Sequence, residues 1–160
     1  MSIPERCLTV KNPWAYLIVY GIKDVENRTW KTDYRGNVFI HASAQSVLPF
    51  DVLTREQFLA IDLHVMPMID SYFETSRIIG SVEIVDCVLN TKSIWTSINK
   101  PFLDKDEQED AFGESVELGG YKWILRNPVV FEEPILNVRG KLNLWKPTFE
   151  IPDNIRKLYL

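Results

Sequence analysis

The side chains best equipped for chemistry in this 160-residue chain fall within one short stretch. Lys23, Glu26 and Arg28 follow a glycine at position 21 and are bracketed by Trp14 and Trp30. A carboxylate accepts hydrogen bonds from a base edge or a sugar hydroxyl. A guanidinium pairs with phosphate or stacks on a base, and an ammonium offers phosphate a compact charge. Enclosed beside Glu26, Lys23 could also steady an oxyanion or move a proton. Plainer readings stand beside these. Two residues apart on a strand, Glu26 and Arg28 can be a structural ion pair, and tryptophans commonly belong to a core. Ser43 has no base partner and no flanking elbow glycines, which argues against a serine hydrolase. Two cysteines and two histidines (His41, His64) give no metal-ligand spacing, and no cofactor is expected.

The flanking sequence supplies the elements that must hold these groups. Asn12-Pro13 reads as a helix start, with Asn12 as the cap and Pro13 at the first helical position. Ala15 to Tyr20 form an apolar body, and Gly21 ends the helix in the left-handed conformation. Lys23 to Lys31 alternates as a strand would, projecting Glu26, Arg28 and Trp30 from one face with Lys23 at the preceding corner. Asp33 to Asn37 is a turn. Val38 to Ala42 follows as a strand, with Val38, Ile40 and Ala42 on one face and Phe39, His41 and Ser43 on the other. His41 reads as a satisfied histidine of the barrel.

Cys7 to Val10 is a further short strand. Thr54 to Gln57 has the capping-box pattern before a helix that Pro67 ends or interrupts. Arg77 to Leu89 is apolar on both faces, as in a long central strand. Residues 90–120 form an acidic, mostly exposed excursion. Then come YKWIL, a turn at Asn127-Pro128, VVFEEPI with Pro134 at an edge or bulge, KLNLW, and a tail helix from Pro152 to Leu160. No linker or repeat interrupts the chain. The reading is one α+β domain over 1–160: a small mixed β-barrel of five or six strands with flanking helices.

Several spacings coincide in a way that resembles the ASCH domain family, of the PUA-like superfold. They are Pro13-Trp14-Ala15, Gly21-x-Lys23-x-x-Glu26-x-Arg28-x-Trp30, and Tyr34-Arg35-Gly36 before Ile40-His41-Ala42-Ser43. The similarity continues through Ile79-Gly80-Ser81-Val82, Asp86-Cys87, Tyr121-Lys122-Trp123, Asn127-Pro128, Pro134-Ile135 and Gly140-Lys141-Leu142-x-Leu144-Trp145, about residues 7–147 in all. The family usually has Gln before Pro-Trp-Ala, where this chain has Asn12. The resemblance implies a PUA-like barrel that binds nucleic acid, RNA first, or a nucleotide-like ligand in a cleft beside the Pro13 helix. Candidate ligand-binding residues are Asn12, Trp14, Lys23, Glu26, Arg28, Tyr34, Arg35 and Ser43. Lys11, Lys122 and Arg126, basic chains near aromatics, are candidates for the rim beside Tyr34 and Arg35. The resemblance also implies an alternative, because some small members are amidohydrolases of acetylated cytidine and others are connected with RNA cleavage. In the amidohydrolases a Lys stands at the position of Lys23, and a catalytic Thr stands where this chain has Glu26. A metal-independent hydrolase of RNA or a modified nucleoside would here use Glu26 as base and Lys23 as charge stabiliser. Binding and catalysis both stay open.

Net charge is −4 and the pI about 5.2, which argues against coating nucleic acid by charge alone. Its distribution is uneven. Residues 1–45 carry six Lys/Arg against four Asp/Glu and residues 121–160 seven against four, while 46–120 carry five against fourteen. The two segments with the family resemblance are thus mildly basic. The acidic 104–117 segment suggests a docking site for a basic protein partner. No apolar run approaches the roughly 20 residues of a membrane span, and no signal pattern opens the chain. A cytoplasmic protein with Cys7 and Cys87 reduced is the expectation.

Overall fold

The computed structural model describes residues 2–47, 52–61, 74–96 and 120–160. In chain order the elements are β1 (Arg6–Asn12), α1 (Trp14–Val19), β2 (Val25–Arg28), β3 (Gly36–Ser46) and α2 (Arg55–Leu59). They continue with β4 (Arg77–Val88), β5 (Tyr121–Ile135), β6 (Leu144–Trp145) and α3 (Asp153–Arg156), which a 3-10 turn over Lys157–Tyr159 extends. Six strands form one mixed sheet in the order β2-β5-β4-β3-β1-β6. Among the described residues only the β1–β3 pair is parallel. The sheet curls into an α+β half-barrel around α1, which touches β1, β3, β4 and β5.

The alternation read from β3 sorts side chains onto two cores. Val38, Ile40 and Ala42 pack on the concave side with Ala15 to Val19 of α1, while Phe39 packs on the convex side. There it meets Cys7, Phe131, Trp145 and the tail residues Ile155 and Tyr159. β4 is apolar on both faces because it serves both cores, giving Ile79 and Val82 to one and Ile78 to the other. A helix buried all round has no polar face, and the five residues from Ala15 to Val19 have none. Gly80 lets α1 settle on the sheet. A Cβ there would lie 2.1 Å from the Val129 carbonyl oxygen and 2.9 Å from Val19 Cγ1.

Local structure departs from the sequence expectation at four places. Asn12 is no cap. The ladder of β1 with β3 runs on to Asn12, which is fully buried and donates to the Glu74 carbonyl at 3.2 Å, while Pro13 takes the N-cap position. β2 stops at Arg28 instead of reaching Lys31, because its partner β5 begins opposite, at Tyr121, straight after Gly120 at φ +58°. Asn127-Pro128 is no turn. Asn127 takes φ +52° inside the continuous strand β5, at a register shift opposite Ser81–Glu83. Pro128 and Pro134 are tolerated because β2 pairs only as far as Ile124, so the rest of β5 has an open edge on that side. KLNLW contributes only Leu144–Trp145, paired on β1. The expected helix through Leu63 and Pro67 and most of the acidic excursion lie outside the described residues.

Candidate functional site

The site begins at the C-terminus of α1. Gly21, at φ +77°, donates to the Ile18 carbonyl, and Ile22 donates to the Leu17 carbonyl, both at 3.0 Å. These two bonds make a Schellman motif. The Lys23 amide adds a third bond to the Leu17 carbonyl at 3.0 Å, so the backbone that launches the Lys23 side chain is tied down. Its ammonium bends back to donate to the Val25 carbonyl and to Glu26 Oε1, the latter at 2.9 Å. Glu26 and Arg28 share a face of β2. Arg28 Nε and Nη2 both reach Glu26 Oε2, at 3.2 and 2.8 Å, and Nη2 also donates to the Thr9 carbonyl of β1 at 2.9 Å. Arg28 thereby crosses from the outermost strand β2 to β1, spanning the open side of the half-barrel.

Two members of this trio are buried and Arg28 is partly exposed. Lys23 and Glu26 are 3% and 6% exposed, so water screens their pairing weakly. Burial alone would raise the Glu26 carboxyl, but the charges and hydrogen bonds of Lys23 and Arg28 outweigh it and hold it below its ordinary value. Two cations against one carboxylate leave a net +1.

A cavity of about 820 Å³ opens over the trio. Consecutive residues of two strands form its sides, Thr9 to Lys11 of β1 opposite Glu26 to Trp30 of β2 and the residues after it. Trp14 and Ser43 also border it. The Trp30 indole is held edge-on against Trp123, with centroids 4.6 Å apart. The structure thus brings Lys23, Glu26, Arg28, Trp14 and Ser43, with Lys11, around one space. Asn12, Tyr34 and Arg35 do not line it. Asn12 is occupied at the end of β1, Tyr34 donates to the Asn37 carbonyl, and Arg35 lies 3.6 Å from Asp86. The rim reading of Lys122 needs correction. It is 1% exposed, donates to the Gly120 carbonyl at 3.1 Å, and burial pushes its ammonium pKa down. Arg126 is exposed on β5, opposite Glu83.

Another part of the wall comes from segments that the sequence did not assign to the site. Thr54 and Gln57 of the α2 turn and Ile94, Trp95 and Thr96 line the cavity, as does Val52. Thr54 and Gln57 make the expected capping box, each side chain bonded to the other's backbone amide at 3.0 Å. Gln57 Nε2 then donates to the Ile94 carbonyl at 2.6 Å, and Asn27 Nδ2 holds the Trp95 carbonyl at 2.9 Å. Only the capping box carried any signal for this wall. His41 is buried, with Nε2 2.6 Å from the Val138 carbonyl, which makes this nitrogen the donor. Burial lowers its pKa, as expected of a neutral barrel histidine.

A mixed half-barrel closed around a short buried helix, with a Lys–Glu–Arg trio at its seam, defines the class of domain. A family model described as ASCH domain matches residues 8–135, and the chain belongs to this family. Activating signal cointegrator 1 of Homo sapiens is 27% identical over 153 residues, covering 94% of this chain and 24% of its own length. The Mus musculus protein of that name is 26% identical over the same coverage. The chain therefore spans about a quarter of the length of these curated relatives. Among solved structures, a ZmASCH mutant protein from Zymomonas mobilis aligns over 84% of this chain and 78% of its own, at 20% identity and a TM-score of 0.41. No helix among the described residues is long and apolar enough to cross a membrane. The acidic 104–117 segment lies outside the described residues.

Proposed function

We propose that the chain binds nucleic acid, RNA first, or a nucleotide-like unit of it, in the cavity between β1, β2 and α1. The observation that carries this reading is the Lys23–Glu26–Arg28 trio, which sets a net positive charge at the base of a space bordered by three tryptophans, Trp14, Trp30 and Trp95. Such a space suits a strand whose phosphates are anionic and whose bases stack on aromatic rings. Membership of the ASCH family supports the same reading. The cavity is local, which fits a chain whose net charge of −4 argues against coating nucleic acid by charge alone.

The hydrolase alternative asks Glu26 to take up a proton near neutral pH. A carboxyl held below its ordinary pKa, with both oxygens already paired to cations, is a weak base. Binding without turnover is therefore the better fit. The test is fluorescence anisotropy of labelled single-stranded RNAs and modified nucleosides at several salt concentrations, with product analysis on the same mixtures. RNA should bind and remain intact, and Arg28→Ala should weaken binding while the protein stays folded. Wild-type protein that ignores every RNA at low salt would overturn the reading.

A further inference from the structure

Resting on the RNA-binding reading, the geometry points to a seat for one phosphodiester group on Arg28 Nη1 and Lys23 Nζ, with Glu26 acting as a positioning residue that does not touch the ligand. The inference follows from counting donors. Arg28 carries five N–H bonds in a fixed fork, and Lys23 carries three. Glu26 Oε2 takes the Nε hydrogen and one Nη2 hydrogen, and the Thr9 carbonyl takes the other Nη2 hydrogen. The Val25 carbonyl and Glu26 Oε1 take two of the ammonium hydrogens. Among the described residues this leaves both Nη1 hydrogens and one Nζ hydrogen unassigned. Both side chains line the cavity, and that of Lys23 is only 3% exposed.

Glu26 stands on the opposite footing. Its two oxygens already accept three charge-assisted hydrogen bonds, close to the four that a carboxylate takes. Its task is to fix the lysine and the guanidinium at one spacing and to cancel one of their two charges. What remains is a donor-only floor with net +1. A neutral ring carbonyl could accept from it but would leave the charge uncompensated in a buried place, whereas a phosphodiester, a monoanion rich in acceptors, cancels it.

Three variants separate the roles, read by RNA anisotropy across a salt series, with inorganic phosphate and an uncharged nucleoside as separate competitors. Arg28→Lys keeps the charge but has a single ammonium for Glu26, Thr9 and the ligand. It should weaken RNA binding about 10- to 100-fold with the salt slope unchanged. Arg28→Ala should flatten the slope by about 0.7, the single-strand value per phosphate contact. Glu26→Gln keeps one acceptor oxygen for one of the two cations, turns an amide NH2 towards the other and removes the cancelling charge, so its slope should steepen and its low-salt affinity should fall less than that of Arg28→Ala. Melting curves confirm that each variant is folded at the temperature used. Phosphate should compete and the nucleoside should not. If Glu26→Gln is folded and loses affinity as severely as Arg28→Ala, Glu26 touches the ligand and the assignment is wrong, although RNA binding stands. Competition by the nucleoside and not by phosphate would also overturn it. If Glu26→Gln does not fold, Arg28→Lys decides alone: unchanged affinity removes the seat. Failure of wild type to bind any RNA sinks the underlying reading instead, so the two failures are distinct.

Discussion

Replacing Gly80 by alanine tests whether α1 rests directly on the β4–β5 ladder. The added methyl carbon would stand 2.1 Å from the Val129 carbonyl oxygen, where about 3.2 Å is comfortable, so something must move by roughly 1 Å. The obstructing atom is backbone, in the strand hydrogen-bonded to β4, so no rotamer change relieves the clash. On its other side the methyl meets Val19 Cγ1 at 2.9 Å and Cβ at 3.0 Å, which pushes α1 off the sheet. Overpacking of a core commonly costs about 1–3 kcal/mol, and the disturbed ladder places this site at the top of that range. At about 2–4 °C per kcal/mol for a chain of this size, the melting temperature should fall by roughly 6–12 °C. Gly140→Ala is the control, because the atoms nearest its methyl would be side-chain atoms, of His41 and Thr9, at 2.9–3.0 Å. Differential scanning calorimetry of both variants measures the contrast. A Gly80→Ala protein melting within about 2 °C of wild type, or above Gly140→Ala, would refute the packing argument.

Three further outcomes follow from the buried groups. Lys23→Ala, which leaves Glu26 paired to Arg28 alone and strips the Val25 carbonyl of its ammonium donor, should cost about 1.5–3 kcal/mol in urea denaturation, the scale of a lost hydrogen bond to a charged group. Because the folded Glu26 carboxyl lies below its ordinary value, its stabilising effect is complete above the unfolded pKa and is lost as pH falls through the folded one. Urea midpoints followed into acid should accordingly fall less steeply in Glu26→Gln than in wild type. Burial pushes the Cys7 thiol up to about 12, whereas Cys87 is partly exposed, so a thiol reagent at pH 8 should label Cys87 in the native protein and Cys7 only after unfolding. Rapid labelling of both in native protein would contradict the burial of Cys7.

Local chemistry explains why some features were legible in the sequence. Gly21 must enter the left-handed region, and Thr54 with Gln57 can cap each other, whatever the rest of the chain does. Lys23, Glu26 and Arg28 converge because a corner and two strand steps fix their directions at short range. Asn12 and Asn127-Pro128 were misread for the opposite reason. Each has strong local turn or cap chemistry, but the long ladders of β1 with β3 and β4 with β5 override it. Lys122 looks like any surface lysine until the fold encloses it. The wall made by Gln57, Ile94 and Trp95 depends on contacts across 37 and 68 residues, which no short pattern encodes.

The convex core has a practical consequence for anyone cutting the chain. The family match ends at residue 135, yet Val138, Trp145, Ile155 and Tyr159 beyond it cover Cys7, Phe39, Ile78 and Phe131. Tyr159 also reaches back to hydrogen-bond Ser81 on β4, and Trp145 Nε1 donates to Thr9 Oγ1 at 3.1 Å, on the residue whose carbonyl Arg28 grips. A fragment trimmed to the motif would keep every residue of the trio. It would lose the backing of β1 and bare a row of aromatic side chains to solvent, so expression boundaries belong at the tail's last buried tyrosine and not at the motif's edge.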